Sequence, residues 1–395
     1  MNSIVSNRGK CTGCLSCNAV CPFDAISVKE SDDGFYIPEI DQQKCKECGL
    51  CLNRCPVTHP RKEKNEPKES CAAYHKDPFV RNESSSGGIY TAIAEYVIES
   101  GGCAVGAVWN EDFNVEHAIA FSKDELIKQR GSKYVQSNIS KDIYKKIKDL
   151  LEKDTLVLFS GTGCQVAGLL EYLGNDYPNL ITVDVLCHGV SSNRAWRKYL
   201  SYIMEKKDCG KIKKINMRDK RISWDLFSYS FTGEKGSYIE VARNDLYGTV
   251  HSSGLMLRTS CDECKFKRDT GYVYSDISIG DYWGGGKKGV DSVKEGISLM
   301  IINTEKGRQL FQNITDRITV FPVDLREAAI INRVIFRPDP RYLFRKKALK
   351  DLQKGDFQDV VNKHMKICLW QQKYEIFVFR VKRKLLKIIN GDKKI

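Results

Sequence analysis

Cysteine spacing is the feature that most constrains how this chain folds. Two runs repeat one pattern, in which three cysteines stand three residues apart and a Cys-Pro pair follows: Cys11-x2-Cys14-x2-Cys17-x3-Cys21-Pro22 and Cys45-x2-Cys48-x2-Cys51-x3-Cys55-Pro56. Three thiolates this close together can wrap one face of a metal cluster, and the proline after the fourth cysteine ends the loop. The first 58 residues are therefore predicted to fold around metal.

The spacing is that of bacterial ferredoxins with two [4Fe–4S] clusters, in which the fourth cysteine of each run binds the other cluster. This crossed pattern gives two ligand sets, which are Cys11, Cys14, Cys17 and Cys55 for the first cluster and Cys45, Cys48, Cys51 and Cys21 for the second. A four-cysteine zinc site is the alternative, and two complete copies with a trailing Cys-Pro pair disfavour it. Residues 1–58 are thus predicted to form an α+β ferredoxin-like dicluster domain.

Length and composition set the remaining limits. The chain has 395 residues, which is enough for two or three domains, and its 16 cysteines need an explanation. No apolar run of roughly 18 residues predicts a transmembrane helix, and the first residues lack the apolar stretch of a secretory signal. We therefore expect a cytoplasmic protein with reduced thiols, in which metal ligation explains the cysteines better than disulfides do.

Sequence pattern divides the rest of the chain into three parts. Residues 59–70 are polar and contain prolines, which is typical of a linker. From Cys71 onward, strand and helix patterns alternate, for example a helix over Ile89–Ile98 and a strand over Cys103–Trp109. This alternation predicts an α/β domain with a mixed sheet over residues 71–340. Residues 341–395 are predicted to form a basic helical C-terminal extension.

The C-terminal extension holds most of the basic excess. The chain has a net charge of +13, and residues 341–395 contain 16 Lys and Arg against 5 Asp and Glu. Such a segment can attract an acidic protein or an anionic membrane surface, or it can form a solvated helical face. It is thus a candidate for peripheral membrane contact. No nucleic acid is expected as a partner, because no recognised binding motif accompanies the charge.

Two glycine-containing loops of the α/β domain are candidate ligand sites. Ser84–Gly88 precedes a predicted helix, whose free N–H groups and positive dipole end suit a phosphate or pyrophosphate. The alternative is an ordinary serine N-cap. Gly131–Tyr134 places a lysine and a tyrosine beside a glycine, where they can pair with phosphate and pack against a ring system. Taken alone, the Gly131–Tyr134 segment fits an ordinary loop as well as it fits a ligand site.

Four later cysteines suggest another metal site. Cys164 stands between a predicted strand and a helix, and Cys187 ends the next strand, at the edge where α/β proteins bind ligands. Cys261-x2-Cys264 is a two-thiolate clamp that needs two more ligands. The candidate ligands of a third metal site are therefore Cys164, Cys187, Cys261 and Cys264. A zinc site and a redox pair that forms a disulfide are the alternatives.

These segments together resemble the coenzyme F420 hydrogenase/dehydrogenase beta-subunit family. The resemblance runs through SSSGGIYTAI, GSKYVQS, GTGCQVAGL, DVLCHGV and CDEC…SDISIGDYWG, in that order, and a ferredoxin module in front recurs in the family. Members carry FAD and a further [4Fe–4S] cluster, so the resemblance implies a flavin-binding α/β domain with a third cluster at the four later cysteines. The implied cofactor contacts are Ser85, Ser86, Gly87, Gly88, Ser132, Lys133, Tyr134, Gly161, Thr162 and His188.

The resemblance implies an iron–sulfur flavin-dependent oxidoreductase. Its clusters would exchange electrons with a ferredoxin or a redox partner subunit, and its FAD would exchange a hydride with an organic cofactor or substrate, F420-like or other. The alternative is an electron-relay subunit of a larger redox complex without substrate turnover of its own. His188 is either a proton donor near the flavin or a structural hydrogen-bonding group beside the cluster, and we favour the structural role.

Overall fold

The computed structural model describes residues 9–61, 66–269, 271–283, 293–338 and 344–366. The two cysteine runs fold as similar halves of one small module. Its elements are helix α1 (Ser16–Val20), strands β1 (Ile26–Glu30) and β2 (Tyr36–Ile40), which pair antiparallel, and helix α2 (Leu50–Asn53). Cys17 and Ile26 are buried at its centre, and Cys21 and Cys51 pack against them. Cysteine side chains therefore form much of the core of this module.

A mixed sheet of eight strands forms the centre of the described chain. In chain order the strands are β3 (Glu69–His75), β4 (Cys103–Trp109), β5 (Val115–Ala120), β6 (Val157–Thr162), β7 (Leu180–Val185), β11 (Ile277–Asp281), β12 (Ser298–Ile302) and β13 (Ile318–Pro322). Their order in space is β13-β3-β12-β11-β7-β6-β4-β5, and β4, β6, β7 and β11 run parallel. The α/β domain with a mixed sheet that the sequence predicts is therefore confirmed.

Helices cover both faces of this sheet, so consecutive residues of its parallel strands are buried, as in Leu180–Asp184 of β7. Helices α4 (Ile89–Glu99) and α10 (Glu305–Asn313) share one apolar core with it. Helices α6 (Lys141–Leu151) and α7 (Gly163–Leu173) share another. The shorter helices are α3 (Pro78–Glu83), α5 (Lys123–Ile127) and α11 (Leu325–Ile331).

A second, antiparallel sheet is inserted between β7 and β11. It contains β8 (Ile212–Asp219), β9 (Ser228–Gly233) and β10 (Ser237–Val241), with helices α8 (Asn193–Lys206) and α9 (Leu246–Ser253) on either side of them in sequence. Its core is aromatic, and Trp196 and Tyr199 lie 5.1 Å from Tyr247 between ring centroids. Strands β8 to β12 thus belong to two different sheets.

The segment after residue 340 packs against this aromatic core. Helix α12 (Arg345–Lys354) buries Ala348, Leu349 and Leu352 there, and Phe357 and Val361 follow from a helical stretch over residues 357–366. The boundary expected at residue 340 therefore does not separate residues 345–366 from the core. Their apolar side chains repeat along one helical face, and the high lysine content hides that pattern. Residues 367–395, and the proposed membrane contact, lie outside the described residues.

Both described parts of the expected linker over residues 59–70 are held by the α/β domain. Arg61 donates to the carbonyl of Leu170 at 2.8 Å and to Asp176 at 2.9 Å, while Glu69 already belongs to β3. Among the described residues, no helix is long and apolar enough to cross a membrane.

Candidate functional site

The N-terminal cysteines form two groups that cross between the runs. Burial and the repulsion of Cys55 raise the pKa of Cys14 to about 11, and burial with repulsion by Cys14, Cys11 and Cys55 raises the pKa of Cys17 well above its usual value. In the other group, burial and the neighbouring Cys21 and Cys48 raise the pKa of Cys51. The structure therefore brings the last cysteine of each run to the other run.

Four later cysteines line one small cavity of about 50 Å³. Cys164 lies in the first turn of α7 and Cys187 lies just after β7, while Cys261 belongs to a short 3-10 helix, Thr259–Glu263, with Cys264 at its end. Burial raises the pKa of all four thiols, that of Cys261 to about 12, and repulsion by neighbouring thiols adds to the effect at Cys164, Cys187 and Cys261. Such thiols ionise only beside a strong positive charge, so this donor set fits a metal cluster.

Side chains around this set stabilise its sulfur atoms and loops. The Thr162 hydroxyl lies 3.1 Å from the Cys164 sulfur, and Lys267 donates to the carbonyl of Cys187. Hydrogen bonds of this kind tune a cluster. Within the described residues, no three His, Cys, Asp or Glu side chains are arranged to hold a single metal ion. A four-iron cluster is wider than one ion, so its thiolates stand further apart.

A larger cavity of about 660 Å³ adjoins the small one. Its floor is the carboxyl ends of β6, β7 and β11, and its opposite wall comes from the inserted sheet and α9. Thr162, Cys164, Cys187 and His188 line both cavities. The carboxyl edge of parallel strands, where α/β proteins bind ligands, is thus where the sequence-predicted loops meet.

The Ser84–Gly88 loop presents a helix end to the large cavity. Helix α4 begins after Gly88, which has φ 89° and provides no side-chain cap. The serine N-cap that the sequence offered as an alternative is therefore wrong, because the left-handed backbone places glycine at the cap. Ser85 and Gly88 line the cavity, as do the first helical residues Ile89 to Thr91. An uncapped helix N-terminus facing a cavity suits a phosphate group.

The two central members of this loop have structural contacts. The Ser86 hydroxyl donates to the carbonyl of Ile297 at 2.8 Å, although the residue still lines the cavity. Gly87 does not line it: a methyl group there would lie 2.4 Å from the carbonyl oxygen of Ala73. Gly87 is required for close packing of the loop against β3 and β12, and its expected role as a cofactor contact lacks support from the cavity lining.

The Gly131–Tyr134 segment lies beside that loop. The Ser132 hydroxyl and backbone N–H both donate to the Ser85 hydroxyl, at 2.9 and 2.6 Å. Lys133 lines the cavity, but its ammonium group donates to the carbonyls of Arg130 and Gly131 at 3.2 and 3.1 Å. Burial lowers the pKa of Lys133 to about 7. The lysine therefore holds the loop, and the Tyr134 ring, which also lines the cavity, is packed between the rings of His251 and Tyr229.

His188 lies between the cavities and contacts a second histidine. Its Nε2 lies 3.2 Å from the carbonyl oxygen of His251, and the two rings are 5.4 Å apart. Burial, with a smaller contribution from His188, lowers the pKa of His251 to about 3, so its ring is neutral. A contact from His188 to a backbone carbonyl is what the structural role predicts. Gly161, at the end of β6, lines the large cavity.

Sequence reasoning missed the residues that the inserted sheet and helix α9 contribute. Arg218 of β8 is buried, forms an ion pair with Asp281 at 3.0 Å and donates to the Tyr134 hydroxyl at 3.3 Å. Arg218 also donates to the carbonyl of Ser85, so it joins three walls of the cavity. The His251 ring packs at a tilt against the Tyr134 ring, with centroids 4.6 Å apart. Neither residue has a local motif, because both reach the site through tertiary packing of the insertion.

Comparison with known families matches three parts of the chain. Residues 10–59 match a 4Fe-4S dicluster domain. Residues 70–143 match the N-terminal part of the coenzyme F420 hydrogenase/dehydrogenase beta subunit, and residues 154–325 match the C-terminal part of the same family. The N-terminal dicluster domain and the family resemblance that the sequence predicts are therefore confirmed.

Two curated proteins are similar over 78% of this chain, each with 26% identity. One is an F(420)H(2) dehydrogenase subunit of Methanosarcina mazei, of which 84% is covered. The other is the Coenzyme F420-dependent sulfite reductase of Methanocaldococcus jannaschii, of which the chain spans 46%. A chain of the F420-reducing [NiFe] hydrogenase complex from Methanosarcina barkeri aligns with a TM-score of 0.45 and 17% identity, covering 77% of this chain and 94% of that one.

Proposed function

Because the chain belongs to the coenzyme F420 hydrogenase/dehydrogenase beta-subunit family and carries a 4Fe-4S dicluster domain, we propose that it is an iron–sulfur flavoprotein oxidoreductase. When bound, its clusters would supply single-electron transfer, and FAD would supply hydride exchange with an organic cofactor or substrate, F420-like or other. Residues of the chain bind and orient these groups and exclude water from them.

This proposal rests on one observation: the candidate sites of the first cluster, the third cluster and the flavin share wall residues. The loop between Cys11 and Cys14 lines the large cavity, and Cys164 and Cys187 line both cavities. Cys14 also packs against Gly168, one turn along α7 from Cys164. A first cluster, a third cluster and a flavin held in these places would be close neighbours, which single-electron transfer between them requires.

The residues of the large cavity support FAD as its occupant. The uncapped N-terminus of α4 suits the pyrophosphate, and the volume of about 660 Å³ lies within the usual range for a ligand of this class. The side chains of Tyr134 and Trp283 line its walls, which gives a ring system aromatic neighbours. Arg218, held by Asp281, provides a fixed positive charge at the Ser85 carbonyl.

The four later cysteines support a third [4Fe–4S] cluster rather than a disulfide. All four are free thiols in the structure, and they come from three separate segments around one cavity. Their shared burial and mutual repulsion suit thiolates that surround a cationic cluster. The Thr162 hydroxyl, beside the Cys164 sulfur, adds a hydrogen bond of the kind found at iron–sulfur sites.

A second candidate function is electron relay within a larger complex, without substrate turnover by this chain. It is favoured by the relative in Methanosarcina mazei, which is named as a subunit of a dehydrogenase. In either case we propose a ferredoxin or a redox partner subunit as the electron partner, and a cytoplasmic location. Peripheral membrane contact through residues 367–395 remains a separate proposal, which rests on their charge alone.

Anaerobic purification followed by cofactor analysis tests the proposal. We expect about twelve iron atoms per chain, which is four for each of three clusters, and one bound FAD. Bound FAD that is reduced and reoxidised by an added organic hydride acceptor favours the oxidoreductase over the relay. Iron near eight per chain, or protein without flavin affinity, would contradict the proposal.

A further inference from the structure

One loop of the dicluster module reaches into the large cavity. Thr12 and Gly13 stand between Cys11 and Cys14, and both line the cavity of about 660 Å³. Thr12 also lines the small cavity of the four later cysteines. The module therefore forms part of the wall around the site where we propose FAD, in addition to carrying its own clusters.

Contacts on both sides of Thr12 fix this loop. Arg258 donates to the carbonyl of Cys11 at 2.8 Å, and the Tyr144 hydroxyl donates to the carbonyl of Cys14 at 2.6 Å. Gly13 has φ 71°, and a methyl group there would lie 2.3 Å from Nε2 of Gln136. Glycine suits this left-handed backbone and close approach best. Thr12 is thus held in place by neighbours that the α/β domain anchors.

The Thr12 hydroxyl is a polar group without a visible function in the fold. Its oxygen is buried, and it has no hydrogen-bond partner among the residues that the structure describes. Buried hydroxyl groups in folded proteins nearly always have a partner. The anchored position and the cavity lining indicate that the partner is a group bound in the cavity.

We propose that the dicluster module completes the flavin site and that Thr12 donates a hydrogen bond to the FAD bound in the large cavity. This rests on the proposed function, since it takes FAD as the occupant. An iron–sulfur module that closes the flavin cavity also excludes water from it. The loop that wraps the first cluster would then touch the flavin directly, so cluster binding and flavin binding become coupled.

FAD affinity of the full-length protein tests this assignment. The protein is purified anaerobically with its clusters, freed of flavin, and titrated with FAD by quenching of flavin fluorescence. Thr12→Val removes the hydroxyl and keeps the shape, while Thr12→Ser keeps the hydroxyl. Thr58→Val is the matched control, because Thr58 lies in the same module and donates to the carbonyl of Leu52 at 3.1 Å, away from the cavity.

We expect Thr12→Val to weaken FAD binding about 3- to 10-fold, as the loss of one hydrogen bond does. Thr12→Ser and Thr58→Val should bind FAD as the wild type does. Iron content shows whether a variant keeps its clusters, and Thr12→Ala replaces Thr12→Val if valine disturbs them. Unchanged affinity in a variant without the hydroxyl and with full iron would overturn the proposal.

Two further outcomes separate this proposal from the function on which it rests. If the hydroxyl instead serves the third cluster, Thr12→Val changes the electron paramagnetic resonance signal of that cluster and leaves FAD affinity intact, which overturns the assignment to FAD. If the wild type itself has no affinity for FAD, the proposed function fails, and the proposal for Thr12 fails with it.

Discussion

His117 shows how a single residue fixes the edge of the site. It lies in β5, where its Nδ1 is 2.7 Å from the Ser137 hydroxyl and its Nε2 is 3.0 Å from the carbonyl oxygen of Ser160. Its ring stacks on Phe159, with centroids 5.4 Å apart. Donation to a carbonyl and acceptance from a hydroxyl require a neutral ring with the proton on Nε2. Burial accordingly lowers the pKa of His117 to about 4.

Stability should therefore depend on pH through His117. The folded-state pKa is lowered from its usual 6.5 to about 4, so between these values the unfolded chain binds the proton and the folded chain does not. The free energy of unfolding then falls as pH decreases, by about 1.4 kcal/mol per unit below the unfolded pKa. His117→Gln removes this contribution, so the wild-type advantage over the variant should be smaller at pH 5.5 than at pH 7.5.

Urea unfolding at both pH values measures this change. The exposed His59 provides the control variant His59→Gln. A wild-type advantage that is equal at the two pH values would show that His117 is not held neutral by the fold.

Helix α7 connects the dicluster module to the four later cysteines. Its first turn carries Cys164, and one turn later Gly168 lies against Cys14, where a methyl group would stand 2.8 Å from the Cys14 Cβ. Glycine inside a helix ordinarily costs about 1 kcal/mol relative to alanine. At this position it is required, because the module approaches the helix backbone. The element thus sets the distance between two candidate clusters.

Gly168→Ala should loosen this contact. We expect lower thermal stability and partial loss of iron from the first cluster, although alanine is the better helix former. Iron analysis and a melting curve measure the effect. Gly9→Ala is the control, since a methyl group at Gly9 meets nothing within 4 Å. A more stable Gly168→Ala protein with full iron would refute the close packing of module and helix.

At the scale of the whole molecule, the segment after residue 340 supports the loop of the third site. Arg345 of α12 forms a two-point ion pair with Asp262, which stands between Cys261 and Cys264, and one of its contacts is 2.8 Å. Both side chains are almost fully buried, at 5% and 9% exposure. Removal of one partner leaves an unpaired buried charge, which costs about 3–5 kcal/mol.

Arg345→Met should destabilise the protein by about this amount and release the third cluster. Lys346→Met, on the exposed side of the same helix, should leave iron content and stability near those of the wild type. The double variant Arg345→Met with Asp262→Asn should regain much of the loss, because no charge is left unpaired. Equal iron content in the Arg345→Met, Lys346→Met and double variants would show that the Arg345–Asp262 ion pair does not support the third site.

The sequence could predict the dicluster module and the strand-end loops, because each has its signal within a few residues. Cysteine spacing identified the ligand runs, and the segment over residues 180–186 indicated the strand that ends beside Cys187. Arg218 and His251 were missed, since an insertion of about ninety residues brings them to the cavity only after its sheet has folded. The buried face of α12 did have a signal, in the spacing of Ala348, Leu349 and Leu352.

Counting reduced clusters by electron paramagnetic resonance tests the central claim most directly. In dithionite-reduced protein we predict about three spins per chain from three [4Fe–4S] clusters. Cys164→Ala should lower this to about two, with the N-terminal signals unchanged. Cys209→Ala is the control, because Cys209 is buried in the aromatic core away from the cavities. About two spins in the wild type, or an unchanged count in Cys164→Ala, would contradict a third cluster beside the flavin cavity.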